Sequence, residues 1–274
     1  MTEPAAGAGG ATPADVAPAP DARKEVIRLT RRVERLELTL TQLEEIRDTN
    51  ARLLDRLRGE LDIERARSQA LLRNVLPQRI VDRLNAGEER IADTHDDVAI
   101  LYSDFVGFTE IAARRSVDAL VDDLGSLFAA FDAACDRHGG EKIKTIGDAY
   151  LAAAGLAAHE DAADAADHAA AAAALGLDML DAVAASDSGW RIRIGIDCGP
   201  VVSGVIGTRT FAYDVWGDTV NVASRLEGSS EPGRIHVSST IAKLIGGRFA
   251  LEPRGEVTLK GKGAVETAFL VGRR

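Results

Sequence analysis

Residues 101–110 read LYSDFVGFTE. An apolar run of strand character ends on Asp104, and Gly107 then allows a tight turn into a helix whose first amides, at Phe108 and Thr109, point outward. Bared amides beside a carboxylate suit a metal ion next to a polyphosphate. An aspartate closing a strand also serves as an ordinary turn or cap, so this segment alone leaves its role open. Outward from it, short apolar runs alternate with helical stretches. Strands are expected at 98–105, 142–146, 149–154, 191–197, 201–206, 211–215, 234–237 and 256–259. Helices are expected at 117–137, 162–185 and 219–227, the last capped by Asp218. This alternation is that of an α/β or α+β domain.

Two further segments carry chemistry. EKIKTIGDAYLAAAG, residues 141–155, is a pair of strand-like runs joined at Gly147 and Asp148, a hairpin with Asp148 at its tip. It reads equally as a plain hairpin. Two acids offered by neighbouring strands, Asp104 and Asp148, are nonetheless able to share a pair of Mg2+ or Mn2+ ions, because hard cations take carboxylate oxygens and leave positions for substrate phosphates. The letters GGEK at 139–142 resemble the signature loop of diguanylate cyclases, but the Phe that completes that loop is absent and the segment precedes the strand. The other segment, residues 204–228, is GVIGTRTFAYDVWGDTVNVASRLEG. Asn221 and Arg225 lie one turn apart on one helix face, able to orient a sugar and neutralise a phosphate together, though such a pair is also common on a solvated surface.

The chain has 274 residues, 46% of them hydrophobic, enough for one domain with a core plus an extension. A net charge of −10 argues against a nucleic-acid or anionic-membrane partner, both of which call for a basic face. Cys135 and Cys198 stand far apart with no Cys or His clustering, so they suggest neither a disulfide framework nor a structural zinc site. The Ala-rich stretch at 169–180 is broken by Asp178 and the N-terminus has no leader pattern, so a cytoplasmic protein without a membrane span is expected. Residues 1–22 are rich in Ala, Pro and Gly and are expected to be disordered. From Val26 apolar residues recur in steps of three and four, through Leu29, Val33, Leu36, Leu40, Leu43, Leu54, Leu57 and Leu61. That seam, interrupted only by Arg47 and Asn50, predicts a parallel dimeric coiled coil over 23–72. Residues 73–95 read as a helical linker opened by Pro77 and ended by Gly87, leaving 96–274 as the folded domain.

Taken together, the three segments resemble the class III nucleotidyl cyclase catalytic domain, with LKGKG at 259–263 fitting its end and LLRNVLPQRIVDRLNAGEE at 71–89 similar to the linker that precedes such domains. The resemblance implies a ferredoxin-like α+β fold and a homodimer whose active sites lie between the chains. It implies that Asp104 and Asp148, with the backbone of Phe105, bind two divalent metal ions, Mg2+ or Mn2+. Lys144 and Asp214 would read adenine, Asn221 would hold the ribose, and Arg225 would meet the α-phosphate. Arg209 and Lys260, with Lys262 as a competitor, would grip the outer phosphates beside the amides of Gly107, Phe108 and Thr109. The implied activity is adenylyl cyclase, with ATP as substrate. Guanylyl cyclase is the nearest alternative, and an inactive coiled-coil regulatory module is another.

Overall fold

The computed structural model describes residues 20–73, 75–156, 164–207 and 210–274. They fall into two compact units, Met1–Leu71 and Leu72–Arg274. The described part of the first is a single helix, α1 (Pro20–Arg73), 54 residues long. It begins inside the segment expected to be disordered; residues 1–19 lie outside the described residues. Its seam residues are half exposed, Val33 and Leu57 at 51% each.

The second unit runs α2 (Gln78–Asn85), β1 (Ala92–Phe105), α3 (Phe108–Arg114), α4 (Val117–Arg137), β2 (Glu141–Ile146), β3 (Ala149–Ala154), α5 (Ala165–Ala185) and β4 (Ile192–Ile206). It continues with β5 (Ala212–Trp216), α6 (Asp218–Gly228), β6 (Ile235–Ser238), α7 (Ser239–Ile245), β7 (Phe249–Leu259) and β8 (Gly263–Arg273). One sheet holds all the strands, in the order β2-β3-β1-β4-β6-β8-β7, with β5 paired to β4. Its first part is a β-α-β-β-α-β unit with strands ordered β4-β1-β3-β2, the ferredoxin-like arrangement.

Strands β1 and β3 are buried on both faces. Ala99, Leu101, Tyr150 and Ala152 pack with Phe131 of α4 and Met179 of α5, while Val98, Ile100 and Leu151 turn the other way, toward Ala223 of α6. Double burial explains why these strands read as unbroken apolar runs instead of alternating. By length and composition α5 passes for a membrane span, although Asp178 was expected to break such a segment. In this fold its apolar side, including Ala169, Ala172, Ala173 and Met179, is buried in the core.

Several elements depart from the sequence expectation. The two strands expected at 191–197 and 201–206 are one continuous β4. Pro200 does not break it, because the β1–β4 register slips between His95 and Val98, opposite Pro200, and a residue without an N–H is tolerated at such a bulge. β7 begins seven residues earlier than expected, at Phe249, and α7 and β8 were not expected at all. Asp218 is not the cap of α6 but its first residue, after Gly217, and its carboxylate pairs with Lys262 instead. Pro77 precedes α2 at the capping position, and Gly87 lies beyond the end of that helix.

Candidate active site

Asp104 is the penultimate residue of β1, and the pairing of Ser103 with Tyr150 brings it to the end of β3 where Asp148 forms the hairpin turn. The two carboxylates are close enough to share a hydrogen bond. Burial, then Asp148, pushes the Asp104 carboxyl up to about 7, and Arg193 only partly opposes this. The next residue, Phe105, is buried in an aromatic cluster, its ring 5.1 Å from that of Trp190, which fixes the backbone on which Asp104 stands. Gly107 then takes φ 69°, the left-handed conformation that glycine accepts without cost, and the first hydrogen bond of α3 runs from the Glu110 amide to the Gly107 carbonyl. The amides of Gly107, Phe108 and Thr109 precede that bond.

Two carboxylates, Asp148 raising the proton affinity of Asp104 and only Arg193 in partial opposition, fit a hard divalent cation. Among the described residues no group of three or more His, Cys, Asp or Glu side chains is placed to hold a metal ion together, so the remaining coordination positions would fall to water or to a substrate's phosphates.

Lys144 and Asp214 come from strands that are not neighbours in the sheet, yet the Lys144 Nζ donates to Asp214 Oδ2 at 2.6 Å. A bulge in β2 makes this possible. Strict alternation would send Lys142 and Lys144 to the same face, but the register passes from Lys142 opposite Ala152 to Lys144 opposite Leu151. Lys142 therefore reaches Asp132 of α4 at 2.9 Å, and Lys144 faces the opposite side, toward β5. The linker helix α2 supports the same corner. Its Ile80 and Val81 are buried with Ile91 and Tyr213, while Arg79 bonds Glu141 of β2 and the Tyr213 hydroxyl of β5.

On α6, Asn221 is exposed and its amide donates to the Gly217 carbonyl at 3.3 Å. Arg225 lies beside the β7–β8 hairpin: a Cβ added at Gly261 would sit 3.9 Å from its guanidinium. Lys260 and Lys262 flank that glycine; Lys262 is paired with Asp218, and Lys260 forms no ion pair among the described residues. Arg209 lies outside the described residues. The sequence reading missed two charged residues here. Arg193 of β4 stands opposite Asp104 in the β1–β4 ladder, its Nη2 3.7 Å from Asp104 Oδ2, and its Nε donates at 2.9 Å to Glu227 of α6. The available signal was a charge, Arg193, inside the apolar run IRIGI, and a second, Glu227, directly after Leu226 on the helix that covers it.

The ferredoxin-like sheet thus carries paired carboxylates at one strand end, with a lysine–aspartate pair and an Asn/Arg helix nearby in the same unit. The model of the adenylate and guanylate cyclase catalytic domain matches residues 91–272. An adenylate cyclase of Mycobacterium tuberculosis is 42% identical over 230 residues, 81% of this chain and 51% of that protein. The guanylate cyclase domain of RhGC from Catenaria anguillulae, solved in complex with GTP, has a TM-score of 0.62 and 34% identity, over 66% of this chain and 100% of that one. The adenylyl cyclase CyaB from P. aeruginosa has a TM-score of 0.60 and 26% identity, over 67% and 97%. This chain belongs to the adenylate and guanylate cyclase catalytic domain family. It spans about half the length of the mycobacterial relatives it matches.

Proposed function

We propose that the chain is a cytoplasmic adenylyl cyclase that converts ATP to 3′,5′-cyclic AMP and pyrophosphate at sites shared between the two chains of a homodimer. The observation that carries the nucleotide choice is the Lys144–Asp214 pair, a donor and an acceptor 2.6 Å apart. Adenine offers an acceptor ring nitrogen and a donor exocyclic amine, which such a pair matches. Guanine offers the reverse polarity at the same edge, and mispaired polar groups in a closed site are heavily penalised. Both nucleotides are handled on this fold by its relatives, so the fold alone does not choose between them.

The ribose 3′-oxygen attacks the α-phosphorus in line: the O3′–Pα bond forms, the bond from Pα to the bridging oxygen breaks, pyrophosphate leaves, and the hydroxyl proton passes to water. No His stands in the three segments, so no protein base is assigned. The chain's own contribution is positioning and charge. Asn221 holds the ribose, and Arg225 meets the charge that grows on the α-phosphate. Arg209 and Lys260 grip the outer phosphates next to the amides of Gly107, Phe108 and Thr109. Lys260 is preferred to Lys262 because Lys262 already has Asp218 as its counter-ion. Two divalent cations, Mg2+ or Mn2+, held by Asp104, Asp148 and the Phe105 carbonyl would supply charge neutralisation and acidify the 3′-hydroxyl.

In this reading Asp104, Asp148 and Arg209 of one chain meet Lys144, Asp214, Asn221 and Arg225 of the other. The half-exposed heptad seam of α1 supports a parallel coiled coil that holds the two together. The test is to incubate the purified protein with ATP or GTP, with either metal, and to separate the nucleotides. Cyclic AMP from ATP, little product from GTP, and loss of that preference in the Lys144→Glu, Asp214→Cys double variant are expected. Equal turnover of GTP by the unaltered protein would overturn the assignment.

A further inference from the structure

We infer that Glu227 is a positioning residue: by drawing the Arg193 guanidinium onto itself, it keeps the Asp104 carboxylate open to a divalent cation. This rests on the reading of Asp104 and Asp148 as metal-binding carboxylates. The β1–β4 register sets Arg193 directly opposite Asp104, on the face that α6 covers. An arginine so placed would ordinarily close on the carboxylate in a bidentate hydrogen-bonded pair, putting its charge where a cation has to sit. It does not do so here. Its Nη2 stays 3.7 Å from Asp104 Oδ2, beyond hydrogen bonding, while its Nε is spent on Glu227 Oε1 at 2.9 Å.

Glu227 is able to hold the guanidinium because it is 5% exposed, and a buried carboxylate is costly without a partner. Gly195 puts it there. A Cβ at that position would lie 2.1 Å from the Ala223 carbonyl oxygen and 2.3 Å from the Glu227 amide nitrogen, so only glycine lets the α6 backbone rest on β4. Glu227 thus takes up the guanidinium that faces Asp104, so its charge is shared between the two carboxylates instead of being spent on Asp104.

The competing reading is that Arg193–Glu227 simply ties α6 to β4. The full-length chain distinguishes the two by direct Mn2+ binding, followed as loss of the electron paramagnetic resonance signal of free Mn2+, alongside the Mn2+ concentration for half-maximal activity. Glu227→Gln keeps the size and one acceptor but loses the charge that restrains Arg193. Its Kd for Mn2+ is expected to rise about tenfold or more, the usual scale for groups that orient a metal ligand. Adding Arg193→Gln is expected to bring Mn2+ binding back to the wild-type level or tighter, because the competing guanidinium is gone. A mere tie predicts that the double variant binds more weakly than the wild type and no better than Glu227→Gln. Unchanged binding in Glu227→Gln, or no recovery in the double variant, overturns the inference. Because the double variant carries neither charge of the pair, its comparison with the wild type stands even where Glu227→Gln proves unstable. Asp104→Ala separates the two levels: if it leaves Mn2+ binding intact, the metal assignment itself fails, and if it abolishes binding while Glu227→Gln does not weaken it, only the role of Glu227 falls.

Discussion

His236 of β6 has no exposed surface, and its charge state is set by what surrounds it. Nδ1 lies 3.0 Å from the Leu226 carbonyl oxygen, 3.1 Å from the Ser229 hydroxyl and 3.1 Å from an Arg254 nitrogen, while Nε2 has no partner among the described residues. Burial pushes its pKa down to about 4; the hydrogen bond to Leu226 works against this, and Arg254 lowers it further. The unfolded side chain titrates near pH 6.5. Between those values the unfolded chain binds a proton that the folded chain refuses, so stability falls as pH drops through that window and the loss is complete below the lower value. The full effect is roughly 3 kcal/mol. Urea unfolding midpoints measured from pH 7 to 4 are expected to fall less steeply in His236→Asn than in the wild type. Identical slopes would show that His236 is not the group responsible.

At the scale of elements, α1 carries a heptad seam, while α2 packs beside β2 and β5. The seam of α1 predicts that deleting residues 23–72 weakens dimerisation and, if the sites are shared as proposed, makes specific activity rise with protein concentration. Sedimentation and activity over a dilution series read this directly; a truncated protein that stays dimeric at nanomolar concentration, with flat specific activity, would show that the catalytic interface suffices. The helix α2 was legible from Pro77 and Gly87 as punctuation, but its partners were not. Arg79 ties it to Glu141 on β2 and to Tyr213, next to Asp214, and those contacts span 62 and 134 positions of sequence. No periodicity records such a contact, because it depends on how two strands far apart in the chain fold against one helix.

The whole molecule is tested by complementation. If Asp104 and Asn221 of any one site come from different chains, Asp104→Ala and Asn221→Ala should each be nearly inactive alone. In a mixed dimer one site collects both defects and the other is intact. Random pairing of equal amounts makes half the dimers mixed, each with one good site in two, so about a quarter of wild-type sites should return on co-expression. Mixed dimers isolated with two different tags that show no more activity than the single variants would mean that each chain carries a complete site.

The sequence by itself determined the local chemistry: the strand that ends on Asp104, the turn at Gly107, the hairpin tip at Asp148, the Asn221 and Arg225 face of α6, and the heptad seam of α1. Each is written within one continuous stretch of chain, as period or turn chemistry. The tertiary structure decided what long-range register and close packing control. The β2 bulge sends Lys144 to Asp214 instead of alongside Lys142; the β1–β4 slip absorbs Pro200 and fuses two expected strands into one. Glu227 and Arg193 look like unremarkable charges in the linear text. They become a pair beside Asp104 only because Gly195 lets a helix lie directly on a strand, and that approach is a property of packed backbones, not of any stretch of sequence.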